Sequence, residues 1–458
     1  MTATARSSTG RGKTALRERL LPRTIEHALG TDYYRRLWPD TARDVTTSAD
    51  LDRLPVTGKY EPAGGAAAVR HPDRTGSVLL HSSGTTGKPF LRYRSAEEIS
   101  ALTELRRALH RRATAGRTGP ERPVLHFTTI SSRFHGNTVG STVSDRQLSF
   151  SLIGPRDLDR ALELLARHED LHPDLHDPVV ELSGNPDDLV ILGYGLAERG
   201  LVERLGVERI VCVGDYLSGL TRAFLQRTFG PGTRIVDRYS MSEICGGATR
   251  CDRCGAYHFD AHVLPQVVAL DGPHSLTAGL GRLVLTELHP FSQVQPLIRY
   301  DTGDLVELVD SPCEPGEVSV VLAGRRAHAP TTRLLGSERV VWRPIALREA
   351  LEAVPEVARA AVYDRIPLTA MVDAAAPLAR AEFLPDDDGG PGRLLLSAVP
   401  AFAPHLFPER AEQLRATLRE AVENCCPETA ELVAAGLEVT VRLTVDRTEV
   451  RPLNVRSF

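Results

Sequence analysis

The sequence predicts a two-part α/β protein: a large N-terminal layered α/β domain with a β-rich subdomain, then a small C-terminal α/β domain. Three observations predict it. The chain has 458 residues, about three times the roughly 150 that one domain usually takes. From Ser77 onward, short apolar runs alternate with helical stretches and Gly-rich turns, the pattern of layered sheet and helix. A stretch rich in Pro and Gly near residues 311–330 then precedes a final unit of domain size. The division is placed at 1–324 and 325–458.

Taken in order, residues 1–76 read as helical and irregular, with helix-compatible apolar spacing over Ala15–Leu21 and Ile25–Trp38. Strands are expected at Val78-Leu79-Leu80, Val124–Phe127, Val179–Leu182, Ile210–Val213 and Ile235-Val236, and helices at Leu201–Leu205 and Thr221–Phe229. Between Gly281 and Leu308, runs such as Arg282–Leu285 and Leu305–Leu308 give the β-rich subdomain. In the last unit, Ala411, Leu414, Leu418 and Val422 share one face of a helix over Glu409–Cys425. Ala374–Ala381 and Asp386–Gly390 read as exposed loops, and no internal repeat is found.

Composition excludes several classes. The hydrophobic share of 42% and charged share of 25% are those of a globular protein. A formal net charge of −4 argues against a nucleic-acid binder held by bulk charge. The polar stretch Met1–Lys13 lacks a signal peptide's apolar segment, and no run is long enough to span a membrane. Seven cysteines, an odd number, argue against a disulfide framework, so a soluble cytoplasmic protein is expected. Lys13, Lys59 and Lys88 are the only lysines.

The strongest local motif is His81-Ser82-Ser83-Gly84-Thr85-Thr86-Gly87-Lys88-Pro89, directly after an apolar strand. Two residues rather than four separate its glycines, and Pro follows the lysine, so it is not a Walker A loop. It retains the parts of an anion cradle: two glycines for close backbone approach, four hydroxyls and a cation. A polar surface loop is the plain alternative.

A second group is Cys245-x5-Cys251-x2-Cys254-x3-His258, with His262 as the alternative to His258. Cys251-Asp252-Arg253-Cys254-Gly255 has the form of a metal knuckle, and four N/S ligands suit tetrahedral Zn²⁺ in a structural site. The other readings are a redox dithiol, which lacks a thioredoxin-like context, and buried cysteines, which the polar neighbours disfavour. Cys212, Cys313 and the pair Cys425-Cys426 read as structural.

The loop Ser82–Pro89 resembles the phosphate loop of the adenylate-forming superfamily that includes acyl-CoA synthetases. Further segments follow in that family's order: Ser183-Gly184-Asn185-Pro186, Val213-Gly214-Asp215, Tyr239-Ser240-Met241-Ser242-Glu243, Arg299-Tyr300-Asp301-Thr302-Gly303-Asp304 and Gly324-Arg325. Spacing and length are most similar to the phenylacetate–CoA ligase branch. The resemblance implies that Ser82, Ser83, Gly84, Thr85, Thr86, Gly87 and Lys88 envelop the β- and γ-phosphates of ATP. It implies that Gly214 and Asp215 border the acyl and adenine pockets, that Tyr239 stacks on adenine, and that Ser242 precedes the Mg²⁺-holding Glu243. Asp304 would bind the ribose hydroxyls with Arg325 nearby, and His135 falls beside the acyl pocket, where an exposed loop histidine is the alternative reading.

The branch also implies a mobile C-terminal lid, although Arg326-Ala327-His328 replaces the acidic residues usual after Gly-Arg. Its C-terminal stretch resembles Arg-Ser-Glu-Gly-Lys-x-x-Arg-Val, against which Arg447–Val455 aligns with Arg451 at the adenylation lysine. Tolerated Lys-to-Arg drift is the alternative to a changed catalytic role. The implied reaction is carboxylate plus ATP to acyl-AMP and pyrophosphate, then transfer to a thiol such as that of CoA. Two other readings stand beside it: a biosynthetic ligase loading an amine or carrier protein, and a degenerate nucleotide-binding protein. The expected partners are a small carboxylic acid and one of these acceptors, with neither nucleic acid nor membrane; a homodimer is compatible.

Overall fold

The computed structural model describes residues 3–58, 69–76, 78–81, 90–114, 125–129, 147–150, 155–171, 179–334, 337–359, 362–363, 366–367, 376–386, 390–447 and 449–450. The loop Ser82–Pro89, with Lys88, lies outside them, as do His135 and Arg451.

The chain opens with α1 (Ala3–Ala28) and α2 (Asp32–Leu37). The two expected helical stretches are divided later than their spacing suggested, because Thr31 accepts from Tyr34 N at 3.3 Å and caps a new helix. Leu21, Ile25, Tyr34 and Trp38 pack with Leu264, Leu288 and Ile298, so this segment is fastened onto the β-rich part.

There follow β1 (Val78–His81), β2 (Leu91–Arg94), α3 (Ala96–Thr114), β3 (Leu125–Thr129), β4 (Gln147–Phe150), α4 (Pro155–Leu171), β5 (Val179–Gly184), α5 (Pro186–Glu198), α6 (Val202–Leu205), β6 (Arg209–Val213), α7 (Gly219–Phe229) and β7 (Arg234–Met241). Strands alternate with helices here, and β4, β3, β5, β6 and β7 pair in parallel. Leu162, Leu165, Leu182, Leu192, Leu196, Ile210 and Leu225 form the core between sheet and helices.

The pattern then changes to hairpins: β8 (Ile244–Arg250), β9 (Tyr257–Phe259), β10 (Val263–Val268), β11 (Gly279–Glu287), β12 (Tyr300–Val309) and β13 (Ser319–Arg325), all antiparallel to their neighbours. Among the described residues the two regions form one eleven-stranded sheet in the order β10-β11-β12-β13-β9-β8-β7-β6-β5-β3-β4. The architecture is α/β with a large mixed sheet. One joint in it is short: β13 meets β9 through only Ser319↔His258 and Val320↔Tyr257.

Residues 311–318, expected near the domain boundary, are instead the loop between β12 and β13 inside this sheet. The chain leaves the sheet after Arg325. Gly324 has φ +115°, and a Cβ there would lie 2.7 Å from Pro344 Cβ, so both backbone and packing require glycine.

Beyond lie β14 (Thr331–Leu334), β15 (Ser337–Val340), α8 (Pro344–Glu352), β16 (Val362–Tyr363), β17 (Ile366–Pro367), β18 (Ala379–Leu384), β19 (Arg393–Ala398), α9 (Pro408–Glu423), α10 (Pro427–Ala434) and β20 (Glu438–Leu443). The expected face of α9, Ala411, Leu414, Leu418 and Val422, is the buried one. It covers the sheet β18-β19-β20 together with Leu394, Leu396 and Val441. The loop expected at Ala374–Ala381 does not extend to its end. Ala379, 1% exposed, begins β18 and pairs with Ala398. Among the described residues no helix is long and apolar enough to cross a membrane.

Candidate functional site

The carboxyl ends of parallel strands are where α/β sheets receive ligands. At the end of β6, Gly214 turns the chain with φ +90°, a left-handed conformation with open space around the missing Cβ. Asp215 Oδ1 then accepts from Tyr216 N at 2.8 Å. The Tyr216 hydroxyl donates to Glu349 of α8, and Arg348 lies over its ring at 5.8 Å. The Gly214-Asp215 turn is therefore where the C-terminal unit rests.

The neighbouring strand β7 ends in a tight hairpin carrying half-buried Ser242 and buried Glu243. Tyr239 Oη donates to Asp304 Oδ2 at 2.7 Å. These residues sit on β7 and β12, which a flat sheet would hold about 19 Å apart at the usual strand spacing. The sheet must therefore curl over between them. Asp304 faces Arg325 in the β12–β13 register, and Arg325 Nε lies 3.3 Å from its Oδ1. Arg325 also donates to Thr302 O at 2.5 Å, and Tyr300 Oη donates to Glu243 Oε1 at 3.4 Å.

Asp304 is 3% exposed, and among the described residues its Oδ1 has the Arg325 ion pair but no hydrogen bond. Burial pushes its carboxyl up to about 6; Arg325 and Tyr239 oppose that, and Glu243 adds to it. Such a buried acceptor suits a hydroxyl from a ligand. Tyr239 departs from expectation. It is 2% exposed, packed with Phe90, Ile244 and Phe259, so it has no free ring face for adenine. Its hydroxyl is instead taken up by Asp304 Oδ2.

Sequence reasoning missed the charged frame behind this site. Arg92 and Arg94 of β2 and Glu287 of β11 have fully buried side chains. Glu287 Oε2 accepts from Arg92 Nη2 at 2.9 Å and from Arg94 Nη2 at 2.8 Å. Burial alone would raise the Glu287 carboxyl, but Arg94 and Arg92 outweigh it and hold it below the ordinary value. Glu287 Oε1 accepts from Cys245 N at 3.2 Å, so one acid ties the strand following residues 82–89 to the turn bearing Glu243. The only sequence signal was Arg at alternate positions in a four-residue strand. Arg299 is a similar pin: its Nη1 donates to Leu51 O at 2.7 Å and Leu54 O at 2.6 Å.

The second group differs from the expected one by a single member. Cys251, Cys254, His258 and Cys313 have ligand atoms all within 4.8 Å of one another. Cys245 is not among them. It lies on extended β8, where six residues at strand rise put it about 20 Å along the chain from Cys251. His262 Nε2 lies 2.9 Å from Cys245 O and is likewise elsewhere. Cys313, read as a bystander, takes the fourth place. Burial would raise the Cys254 thiol, yet hydrogen bonds from Ser311, Ala256 N and His258 lower it to about 6.

No family model matches the chain. The chain is 27% identical over 362 residues to a phenylacetate–coenzyme A ligase of Thermus thermophilus, covering 75% of this chain and 76% of that protein. It is 27% identical over 319 residues to a phenylacetate–coenzyme A ligase of Pseudomonas putida, covering 66% and 68%. Among solved structures, an open conformation of 2-hydroxyisobutyryl-CoA ligase with 2-HIB-AMP and CoA superposes with a TM-score of 0.65 at 15% identity, over 97% of this chain and 89% of that one. An acyl acid amido synthetase bound to 2,4-DB gives a TM-score of 0.55 at 12% identity, over 96% and 89%. These two likenesses show the fold.

A carboxyl raised by burial stabilises the folded chain fully below its unfolded value of 3.8, and that stability is lost as pH rises through about 6. Asp304→Asn removes the ionisation. Thermal or urea unfolding is expected to show the variant gaining on wild type by up to about 3 kcal/mol as pH rises through 6. Parallel pH–stability curves would show that Asp304 does not titrate in this way.

Proposed function

We propose that the chain is an ATP-dependent acid–thiol ligase of the adenylate-forming superfamily, on its phenylacetate–CoA ligase-like branch. The observation that carries the reading is the meeting of Tyr239, Glu243, Asp304 and Arg325, in which the buried Asp304 Oδ1 has no hydrogen bond among the described residues.

In the reaction, a carboxylate oxygen attacks the α-phosphorus of ATP. The bond from that phosphorus to the bridging oxygen breaks, releasing pyrophosphate and leaving acyl-AMP. A thiolate, that of CoA in this proposal, then attacks the acyl carbonyl, and AMP departs with the bonding pair. The protein has to offset phosphate charge and hold the reactants in line. Asp304 accepts from the ribose hydroxyls, oriented by Tyr239 and Arg325. The turn at Gly214 and Asp215 is assigned to adenine, and by the sequence motifs Ser82–Gly87 with Lys88 are assigned to the phosphates and His135 to the acyl group. Glu243, an oxygen donor of the kind Mg²⁺ prefers, would hold that ion, which when bound shields phosphate charge. The substrate class proposed is aromatic carboxylic acids, in a reducing cytoplasm. Zinc is assigned to the Cys/His group, in a structural role.

Arg451 sets this chain apart. It keeps a positive charge where the branch has lysine, but a guanidinium is a planar fork and an ammonium a compact point. We propose adenylation that is retained and slowed.

Exchange of labelled pyrophosphate into ATP over a carboxylate panel, phenylacetate first, tests the function. Acid-dependent, Mg²⁺-dependent exchange is expected, and exchange no higher than the acid-free background across the panel would refute it. Calorimetry of Asp304→Ala should show ATP binding weakened by about 1.5–3 kcal/mol, the loss of a charge-assisted hydrogen bond. In the same exchange assay, Arg451→Lys is expected to be faster than wild type. Arg451→Ala should be slower by about tenfold or more, or at least 1.4 kcal/mol of barrier. Equal rates in wild type and Arg451→Ala would remove Arg451 from the mechanism.

A further inference from the structure

We infer that Cys251, Cys254, His258 and Cys313 form a closed, structural Zn²⁺ site that clamps the weak joint of the central sheet. The inference is independent of the ligase reading.

The donor set is three thiols and one imidazole, drawn from a C-x2-C-x3-H run and a distant cysteine. Zinc takes such donors tetrahedrally, with bond lengths that put S···S edges at about 3.8 Å and S···N edges at about 3.6 Å. The edges here are 3.6 Å for Cys251 Sγ to Cys313 Sγ and 3.3 Å for Cys254 Sγ to His258 Nε2. All seven cysteines are free thiols among the described residues, so Cys251 and Cys313 are not a disulfide.

The surroundings are those of a metal-bound histidine. His258 turns Nε2 to the sulfurs, while its Nδ1 lies 3.1 Å from Ser319 Oγ and 3.7 Å from Glu314 Oε2. Partners of this kind fix the ring's orientation and tautomer. Lys13 of α1 donates to Glu314 Oε1 at 2.7 Å and to Phe259 O at 2.9 Å, extending the frame to the N-terminal helix.

Position gives the role. Cys251, Cys254 and His258 belong to the β8–β9 hairpin, and Cys313 to the β12–β13 loop. Between those hairpins the ladder has only two residue pairs. Four coordinate bonds across that joint hold it where backbone pairing is short.

The test uses the untagged full chain. Elemental analysis after gel filtration should find about one zinc per chain in wild type and in Cys245→Ser, and loss of it in Cys313→Ser. A second measurement, independent of the folding of Cys313→Ser, uses wild type alone: alkylation followed by peptide mapping, with and without a strong chelator. Cys251, Cys254 and Cys313 should become reactive only after chelation, while Cys245 is unaffected. Cobalt substitution should give the intense d–d bands of a tetrahedral thiolate site. Wild type that binds no zinc even when supplied with it overturns the inference. So does chelator-dependent protection of Cys245 in place of Cys313.

Discussion

Two residue pairs, Ser319 with His258 and Val320 with Tyr257, make up the ladder between the two halves of the central sheet, and the candidate site spans that joint. Tyr239 and Glu243 lie on the β7–β8 side of it, and Asp304 and Arg325 on the β12–β13 side. The acid and the tyrosine that positions it therefore come from different halves, brought together by a sheet that curls across its shortest ladder. A shift of an ångström at the joint would pass directly into the 2.7 Å hydrogen bond between them. Oriented catalytic and binding groups lose much of their effect with misplacement of that size.

The molecule invests buried charge where this geometry is needed. Glu287 with Arg92 and Arg94 costs desolvation, and such a network gains little over an apolar core in stability alone. Its return is definition: the acid satisfies two guanidiniums and the amide of Cys245 at once. Asp304 is the opposite case. Its carboxyl is kept buried with one oxygen lacking a hydrogen bond among the described residues, a local cost that binding a hydroxyl would relieve.

Much of this was legible in the sequence, for identifiable reasons. The α9 face at Ala411, Leu414, Leu418 and Val422 could be read because one face buried against a sheet imposes a helical period. Strands β5 and β6 could be read as short apolar runs bounded by polar or turn residues. The ordered motifs marked Tyr239, Glu243, Asp304 and Arg325 as one set. What they did not convey was the burial of Tyr239, since residue order carries no record of how a sheet curls. Cys245 lies close to the knuckle in sequence and Cys313 does not. The extended strand after Cys245 carries it away, while a hairpin loop returns Cys313 from more than fifty residues downstream. The same Pro/Gly content that made residues 311–316 resemble a linker is what a tight loop inside a sheet requires.

The coupling between Tyr239 and Asp304 is the most direct test. A double-mutant cycle of Tyr239→Phe and Asp304→Asn, read as ATP affinity by calorimetry, measures whether the tyrosine acts through the acid. The structure predicts a coupling of about 0.5–3 kcal/mol, the double variant losing less than the sum of the two single losses. Strict additivity would contradict the account, because it would mean that the two halves of the sheet contribute to nucleotide binding independently.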